Sequence, residues 1–465
     1  MMTVRDRLWW VVGLARSGCA AGALLRRHGG RVIGIDDSDA DTVRRRWERE
    51  GLSDLAPRAF DELTTGGHWP EDPPAGVVIS PGVPPNHPRL QALPPEVPVL
   101  GEMELGAAFC RADLVAITGT NGKSTTTEWV AHLLRAGGRR AQALGNLGTP
   151  LSLAAEELEP GDAVSLEVSS FQLETARRFQ PRVGMVLNLA PDHLDRYADL
   201  AAYYDAKGVL ARRTHPDGHF ITWTRCPQAR AWETPSRRLL FGDEADGACA
   251  FYRDDALWIR TAGGERTLLR RDEVALPSPP NLLNALATAA VGVAMEVPPE
   301  AMTEALGSFA GLRHRQQVVA TRGPIRFIND TKATNVHAVC AALDGYRRPV
   351  ALILGGSGKG EDYAPLAAVM DAVVHVVTIG QEGPAIAEVL AGRVPLSAAV
   401  DMPTAVRQAA DELEAALRRD GLPAGDVMLS PACASFDMFT GYRQRGEKFM
   451  AAALAVGAQA VDLHE

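Results

Sequence analysis

The chain has no CxxC pair, no excess of basic charge, no long apolar run, no tandem repeat and no low-complexity tract. Each absence removes a class of function. Six cysteines, at 19, 110, 226, 249, 340 and 433, are scattered, which suggests neither a disulfide scaffold nor a zinc module and fits a reducing cytoplasm. A net charge of −9 argues against a protein held on nucleic acid by a basic face. Clustered arginines such as Arg44, Arg45 and Arg46 read as a solvated helix face. The run "LWWVVGLA", preceded by Arg5 and Arg7, is too short to span a bilayer and meets Arg16 and a glycine turn, so it reads as a buried first strand. At 465 residues the chain exceeds what one core usually organises, and two or three domains are expected.

What is present is alternation. Short β-branched runs ("LWWVVGL", "RVIGID", "GVVIS", "LVAIT", "AVSLEV", "VGMVLN") alternate with alanine- and leucine-rich helical stretches, the pattern of parallel βαβ units. Breaks fall near "LPPEVPVLGEMEL" and "SFAGLRHRQQ". Beyond the second, "RFIND", "VALILGG" and "VVHVVTIG" restart the alternation as a third α/β unit. The less regular segment from about Trp223 to Pro277 reads as β-hairpins inserted in or appended to the middle domain.

Two glycine turns carry chemistry. "VVGLARSG" followed by "GIDDSD" approximates a dinucleotide fingerprint, with Gly13 and Gly18 flanking the turn, Ala15 in the place of the second glycine, and Asp36 placed to accept hydrogen bonds from a ribose. Alone it would support an NAD-linked oxidoreductase. The second turn, in "VAITGTNGKSTTTEWV", opposes that. A strand from Leu114 to Thr118 enters a Gly-rich turn and then a helix near Lys123. Backbone N–H groups from Gly119 through Thr120, Asn121 and Gly122 to Lys123 would line one concavity. Lys123 would reach the β- and γ-phosphates of ATP, and Ser124 or Thr125 would bind magnesium. Ile117 stands where the usual motif has its first glycine, so the turn is effectively GxxGKS.

The use of the phosphate is read downstream. Glu167 ends the strand of "SLEVSSFQLE" and suits a carboxylate holding magnesium, whereas Glu174 reads as a helix-surface residue. In "MVLNLAPDHLDRY" another strand ends in Asn188 and opens into a loop with Asp192, His193, Asp195 and Arg196. Ligands in parallel sheets collect beyond such carboxyl ends.

GTNGKST, EVSSFQLE and NLAPDHLDR, in this order, resemble the Mur ligase family, ATP-dependent amide-forming enzymes of peptidoglycan precursor synthesis. "GLRHR", "INDTKATN", "LGGSGKG" and "LSPACASFDMF" resemble the branch that adds D-glutamate to UDP-N-acetylmuramoyl-L-alanine. The likeness runs from the first strand to "QRGEKF". It implies an α/β protein of three domains: a Rossmann-like UDP-substrate domain (1–102), a P-loop ATPase-like central domain with a mostly parallel sheet (103–311), and a Rossmann-like amino-acid domain (312–465). It also implies a cytoplasmic monomer with small-molecule substrates and neither nucleic acid nor membrane as partner.

The resemblance further implies an acyl phosphate made from ATP and attacked by an amine through a tetrahedral intermediate. Two magnesium ions are expected, one at Ser124 and Glu167, the other at His193 near a carbamylated Lys207. Lys332 would meet the γ-phosphate or the intermediate, Arg315 and Asp330 the nucleotide, and Asn281 and Asn284 the adenine. Leu14, Ala15, Arg16, Ser17, Asp36 and the turn Ser80, Pro81, Gly82 match the UDP positions; Asn146, Ser169 and Gln172 match the muramoyl-alanyl positions. Thr334, Lys359, Ser435, Phe436 and Tyr442 match the glutamate pocket. Departures are Ser38 where an arginine often helps to hold uracil, "PSPPNLLNAL" without the usual glycine and histidine, Gln317 for a glutamate, and Tyr442 for a phenylalanine. L-glutamate or another amino acid remains the alternative substrate, since stereochemistry is set by pocket shape.

Overall fold

The computed structural model describes residues 3–461 except 147, 193–195 and 359. Its contacts define two compact units, Met1–Arg271 with Asn284–Gly307, and Asp272–Leu283 with Ser308–Glu465.

The first unit contains two sheets. In the N-terminal one, β1 (Leu8–Val12), β2 (Arg31–Asp36), β3 (Glu62–Thr65), β4 (Gly76–Ile79) and β5 (Val99–Gly101) run parallel in the order β3-β2-β1-β4-β5. The chain leaves β1 toward β2 on one side and returns as β4 on the other. The end of β1 is therefore a switch point, where a crevice opens beyond the strands. "LWWVV" is a buried strand, as its length required: Trp9, Trp10, Val11 and Val12 are all in the core.

The central sheet adds β6 (Asp113–Thr118), β7 (Ala141–Gly145), β8 (Ala163–Glu167), β9 (Val183–Val186), β10 (His219–Trp223), β11 (Arg237–Gly242), β12 (Ala250–Arg253), β13 (Ala256–Thr261) and β14 (Gly264–Arg270), in the order β14-β13-β12-β11-β10-β9-β6-β8-β7. β6 lies between β8 and β9, all parallel, so Thr118, Glu167 and Val186 end at one edge. The segment read as hairpins is only partly so. β12 to β14 are antiparallel, but β11 pairs parallel with both β10 and β12. The helix Pro227–Ala231 supplies the crossover that a parallel pair needs.

The second unit is built on β15 (Gln317–Arg322), β16 (Ile325–Asn329), β17 (Val350–Gly355), β18 (Val373–Ile379), β19 (Leu396–Ala398), β20 (Gly425–Leu429) and β21 (Gln459–Ala460), ordered β19-β18-β17-β20-β16-β15-β21. The parallel neighbours β16, β20 and β17 are near-continuous apolar runs, as expected of strands covered on both faces. Their core includes Phe327, Ile353, Val427, Leu413 and Phe449.

The turn after β1 is packed to contact. A Cβ added at Gly18 would lie 2.0 Å from the Gly13 carbonyl oxygen, a backbone atom that cannot swing aside. Gly18→Ala is therefore expected to cost about 1–3 kcal/mol of stability, whereas Gly82→Ala, which meets nothing within 4 Å, should change stability by less than about 0.5 kcal/mol. Paired urea melts check this, and equal midpoints would refute the steric account.

Candidate functional site

The phosphate-loop segment folds as its glycines demand. Gly119 (φ 150°) and Gly122 (φ 83°) take conformations that side chains rarely adopt, and Gly122 caps the helix Lys123–Ala136. Nearly four turns of aligned peptide dipoles thus end at the loop, where they favour an anion. Asn188, just past β9, braces it. Its carbonyl accepts from Thr120 N (3.0 Å), its side-chain oxygen from Asn121 N (2.9 Å), and its amide donates to Asn121 O (3.0 Å). This corrects the expectation that every N–H from Gly119 to Lys123 faces one concavity, since those of Thr120 and Asn121 are committed to Asn188. The Thr120 hydroxyl adds contacts to Ala190 and to Tyr203.

Two lysine amines meet on one carbonyl. Lys123 Nζ donates to Gly119 O (2.9 Å) and Thr120 O (2.8 Å), and Lys207 Nζ donates to the same Gly119 O (3.1 Å). Lys207 projects from the helix Leu200–Arg213, is 2% exposed, and lies 4.7 Å from the centre of the Tyr203 ring. Burial first, and the Lys123 charge second, hold its amine well below the usual lysine range. Glu167 is also buried. Its Oε1 accepts from Asn146 Nδ2 (2.8 Å), while Oε2 has no hydrogen-bond partner. A buried carboxylate oxygen left bare is costly in a native fold unless something binds it. Beside a phosphate loop, with Ser124 and Thr125 buried on the adjoining helix, that oxygen fits a divalent cation. No cluster of three His, Cys, Asp or Glu suited to a metal occurs among the described residues. His193, Asp195 and Lys359 lie outside them.

Glu174 is not a surface residue. It accepts from Arg196 Nη2 (2.8 Å) and the Tyr197 hydroxyl (2.6 Å), and the Arg196 guanidinium stacks on Phe171 and donates to Pro81 O (3.3 Å). A carboxylate that faces an arginine across a loop is invisible to helical periodicity. Ser169 and Gln172 form a reciprocal capping box at the start of Ser170–Leu173, so both have a local role whatever else they touch. Asn284 sits against the loop, its Oδ1 2.5 Å from where a Gly122 Cβ would be.

At the N-terminal switch point Asp36 is committed inward. It accepts from Leu14 N (3.0 Å), Ser38 N (3.0 Å) and Arg46 Nη1 (2.8 Å), while Arg46 Nη2 donates to Ser38 Oγ (3.1 Å). Burial opposes its charge, but those donors outweigh it and hold the carboxyl below the usual range. The ribose acceptor read from the sequence thus already receives three protein donors. Arg46 is likewise half-buried in this ion pair, whereas Arg44 and Arg45 are exposed as expected. Ser80 Oγ donates to Gly13 O (2.6 Å), binding the Ser80–Gly82 turn to the first one. Ala15 is the N-cap of Arg16–Arg27, and Ser17 lies in its first turn.

In the second unit, Asp330 follows β16, accepts from Ser430 Oγ (2.9 Å) and Gln316 N (3.2 Å), and is pushed up to about 7 by burial. Arg315 lies in the turn between His314 and Gln316, both at positive φ. Gln317 Oε1 accepts from His314 N (2.8 Å), so the amide in place of a glutamate still braces this turn. Asn281 Nδ2 donates to Ser278 Oγ (3.1 Å), which itself hydrogen-bonds Gln316. Lys332 Nζ lies 3.9 Å from the centre of the Tyr442 ring. Thr334 is half-buried, Ser435 is 2% exposed and Phe436 is 75% exposed. Sequence reading missed Arg445. This fully buried guanidinium donates to Thr331 Oγ1 and to the carbonyls of Thr331, Cys433 and Ala434, at 2.9 to 3.1 Å. It thereby ties the segment before Lys332 to the segment before Ser435. Its signal was faint, one of two arginines in the helix Tyr442–Ala455.

The Asp330 carboxyl holds its proton more tightly folded than unfolded. Its contribution to stability is therefore full below about pH 4 and lost as pH rises through about 7. Between pH 5 and 8 the ligand-free wild type should lose more stability than Asp330→Asn, by about 2–3 kcal/mol. Urea melts at both pH values test this, and identical slopes would show that Asp330 is not strained by burial.

Comparison with known proteins follows the same architecture. Residues 117–292 match the Mur ligase middle domain, and residues 314–429 match the Mur ligase, glutamate ligase domain. The chain is 39% identical over 457 residues to the UDP-N-acetylmuramoylalanine--D-glutamate ligase of Salinibacter ruber, covering 94% of this chain and 96% of that one. It is 41% identical over 458 residues to the enzyme of the same name from Anaeromyxobacter dehalogenans, again covering 94% and 96%. Among solved structures, the fold is similar to UDP-N-acetylmuramate-alanine ligase from Thermotoga maritima (TM-score 0.57, 17% identity, 97% of this chain and 100% of that one). It is also similar to MurF from Acinetobacter baumannii (TM-score 0.59, 16% identity, 96% and 93%). With both family domains matched and near-full-length relatives at this level of identity, the chain belongs to the Mur ligase family.

Proposed function

We propose that this chain is an ATP-dependent ligase that joins D-glutamate to UDP-N-acetylmuramoyl-L-alanine in peptidoglycan precursor synthesis. One observation carries the reading: on a chain so similar to D-glutamate ligases, the phosphate loop is flanked by a buried lysine amine held well below its usual range and a buried carboxylate with one bare oxygen.

Amide formation from a carboxylate needs a better leaving group than oxide. The substrate carboxylate attacks the γ-phosphorus of ATP, the bond to the β–γ bridging oxygen breaks, and an acyl phosphate and ADP result. The amine of glutamate then adds to the acyl carbon, loses a proton, and expels phosphate from the tetrahedral intermediate. Two anions must approach each other in the first step, so cations decide the barrier.

Lys123 is one such cation, exchanging its contacts with Gly119 O and Thr120 O for phosphate oxygens, with the helix N-terminus behind it. Magnesium, when bound, would supply the remaining charge, with Ser124, Glu167, His193 and a carbamylated Lys207 as the residues holding two ions. Asn146 aims Glu167 by its hydrogen bond. A neutral amine is what adds to carbon dioxide, which is why the depressed affinity of Lys207 for protons supports the carbamate.

The remaining roles belong to the same proposal. Thr120, Asn121 and Thr125 line the loop with Gly119 and Gly122, Asn281 and Asn284 meet adenine, and Arg315 and Asp330 meet the rest of the nucleotide. Lys332 meets the γ-phosphate or the intermediate. Leu14, Ala15, Arg16, Ser17, Asp36 and the Ser80–Gly82 turn take UDP, and Asn146, Ser169 and Gln172 take the muramoyl-alanyl part. Thr334, Lys359, Ser435, Phe436 and Tyr442 grip glutamate. Functional boundaries near residues 102 and 311, a monomeric state, a cytoplasmic location, and the lack of nucleic-acid or membrane partners complete it. No helix among the described residues is long and apolar enough to cross a membrane.

The direct test is phosphate release by the purified protein with ATP, magnesium and UDP-N-acetylmuramoyl-L-alanine, offering D-glutamate, L-glutamate, meso-diaminopimelate and lysine in parallel. Release is expected with D-glutamate only, with the amide seen by mass; release with L-glutamate instead would overturn the stereochemical part, and none at all would sink the ligase reading. For Lys207, protein equilibrated with ¹³C-bicarbonate should show a carbamate carbon resonance that is missing from Lys207→Arg. A spectrum without that resonance in wild type would remove the carbamate from the proposal.

A further inference from the structure

At the opposite end of β6 from the phosphate loop lies a cleft of about 730 Å³ that the ligase reaction does not use. Asp113, the first residue of β6, lines it, while Gly119 follows the last. Five residue steps of strand separate Asp113 from Thr118, roughly 16 Å at the usual rise. An occupant here would not overlap nucleotide bound at the loop.

The lining is two-sided. Val99, Leu100, Ala107, Ala108, Leu114 and Phe179 form an apolar floor between β5, the helix Glu102–Phe109 and the central sheet. Arg177, Arg178 and Arg182 stand on the rim. Arg177 and Arg178 form no ion pair among the described residues, and Arg182 has only Asp113 at 4.0 Å. Asp113 is more closely held by Arg139, at 2.7 Å.

The arginine segment is also fixed in place. Glu104, 5% exposed, accepts from the backbone N–H groups of Arg177 (2.8 Å), Arg178 (2.5 Å) and Phe179 (3.3 Å). This pins the rim to the helix that makes the floor, so the cleft is preformed. The same three donors absorb the Glu104 charge, which would otherwise repel an anion. Size, an apolar floor and cations on the rim together are what a small-molecule site requires. We propose that this cleft binds a small amphipathic anion, with an apolar body on the floor and a carboxylate, sulfonate or phosphate head on Arg177, Arg178 and Arg182.

The probe is 8-anilinonaphthalene-1-sulfonate, titrated into the full chain with and without ATP, magnesium and UDP-N-acetylmuramoyl-L-alanine. A saturable fluorescence gain is expected, unaffected by the substrates. In the double variant Arg177→Glu, Arg178→Glu its affinity should be about tenfold weaker, equivalent to about 1.4 kcal/mol, while phosphate release is unchanged. Displacement by the substrates, or equal affinity in a variant that retains phosphate release, would overturn the proposal. Wild type supplies a readout independent of that variant's folding. Cys110 lines the cleft and is half-exposed, as is Cys340 elsewhere. Bound dye should slow alkylation of Cys110 at least about threefold and leave Cys340 unchanged, whereas equal rates at Cys110 with and without dye would refute occupancy.

Discussion

The burial of Lys207 beneath the phosphate loop is the constraint on which the active region depends. An amine 2% exposed must either find an anion or give up its proton. Here it donates to the Gly119 carbonyl, beside a second amine that discourages a second positive charge. Glu167 stands in the mirror condition, a buried carboxylate with one oxygen bare. A fold selected for stability alone would pair both groups. Keeping them apart costs free energy, and the surrounding structure offsets that cost with bracing by Asn188, Asn146 and Tyr203.

The basic residues divide this labour by chemistry. Of 48 lysines and arginines only five are lysine, and four of them, Lys123, Lys207, Lys332 and Lys359, are site candidates. Arginine stays charged at any working pH and presents a planar fork, so it serves for bracing. Arg445 joins two loops of the second unit, Arg196 joins Glu174 to Pro81, and Arg326 and Arg348 converge on the fully buried Asp426. A primary amine can lose its proton or add carbon dioxide, which no guanidinium can do. Lysine therefore persists where reactivity or a compact charge is wanted. The scarcity was legible in the composition and is the signal by which Lys207 could have been found without any family resemblance.

Parallel topology explains why so few residues suffice. β8, β6 and β9 deliver Glu167, the phosphate loop and Asn188 to one edge because all three strands end together. β16 and β20 do the same for Asp330 and Ser430 in the second unit. Each site residue is then only a step or two beyond a rigid strand, and local hydrogen bonds complete its aim.

By itself the sequence determined the strand-helix alternation, the two glycine turns, the strand-terminal position of Glu167 and the order of the family motifs. These rest on period-two apolar runs and on backbone angles that only glycine readily adopts, which are local properties. Tertiary structure alone decided which polar groups were already taken. Asp36 read as free to bind a ribose, Arg46 as solvated and Glu174 as a surface residue, yet each is committed to a partner 10 to 22 positions away. The same holds for Thr120 and Asn121, whose N–H groups face Asn188 67 or 68 positions on. Hydrogen bonds and ion pairs form through space, and a pattern read along the chain shows the donors and acceptors without showing who meets whom.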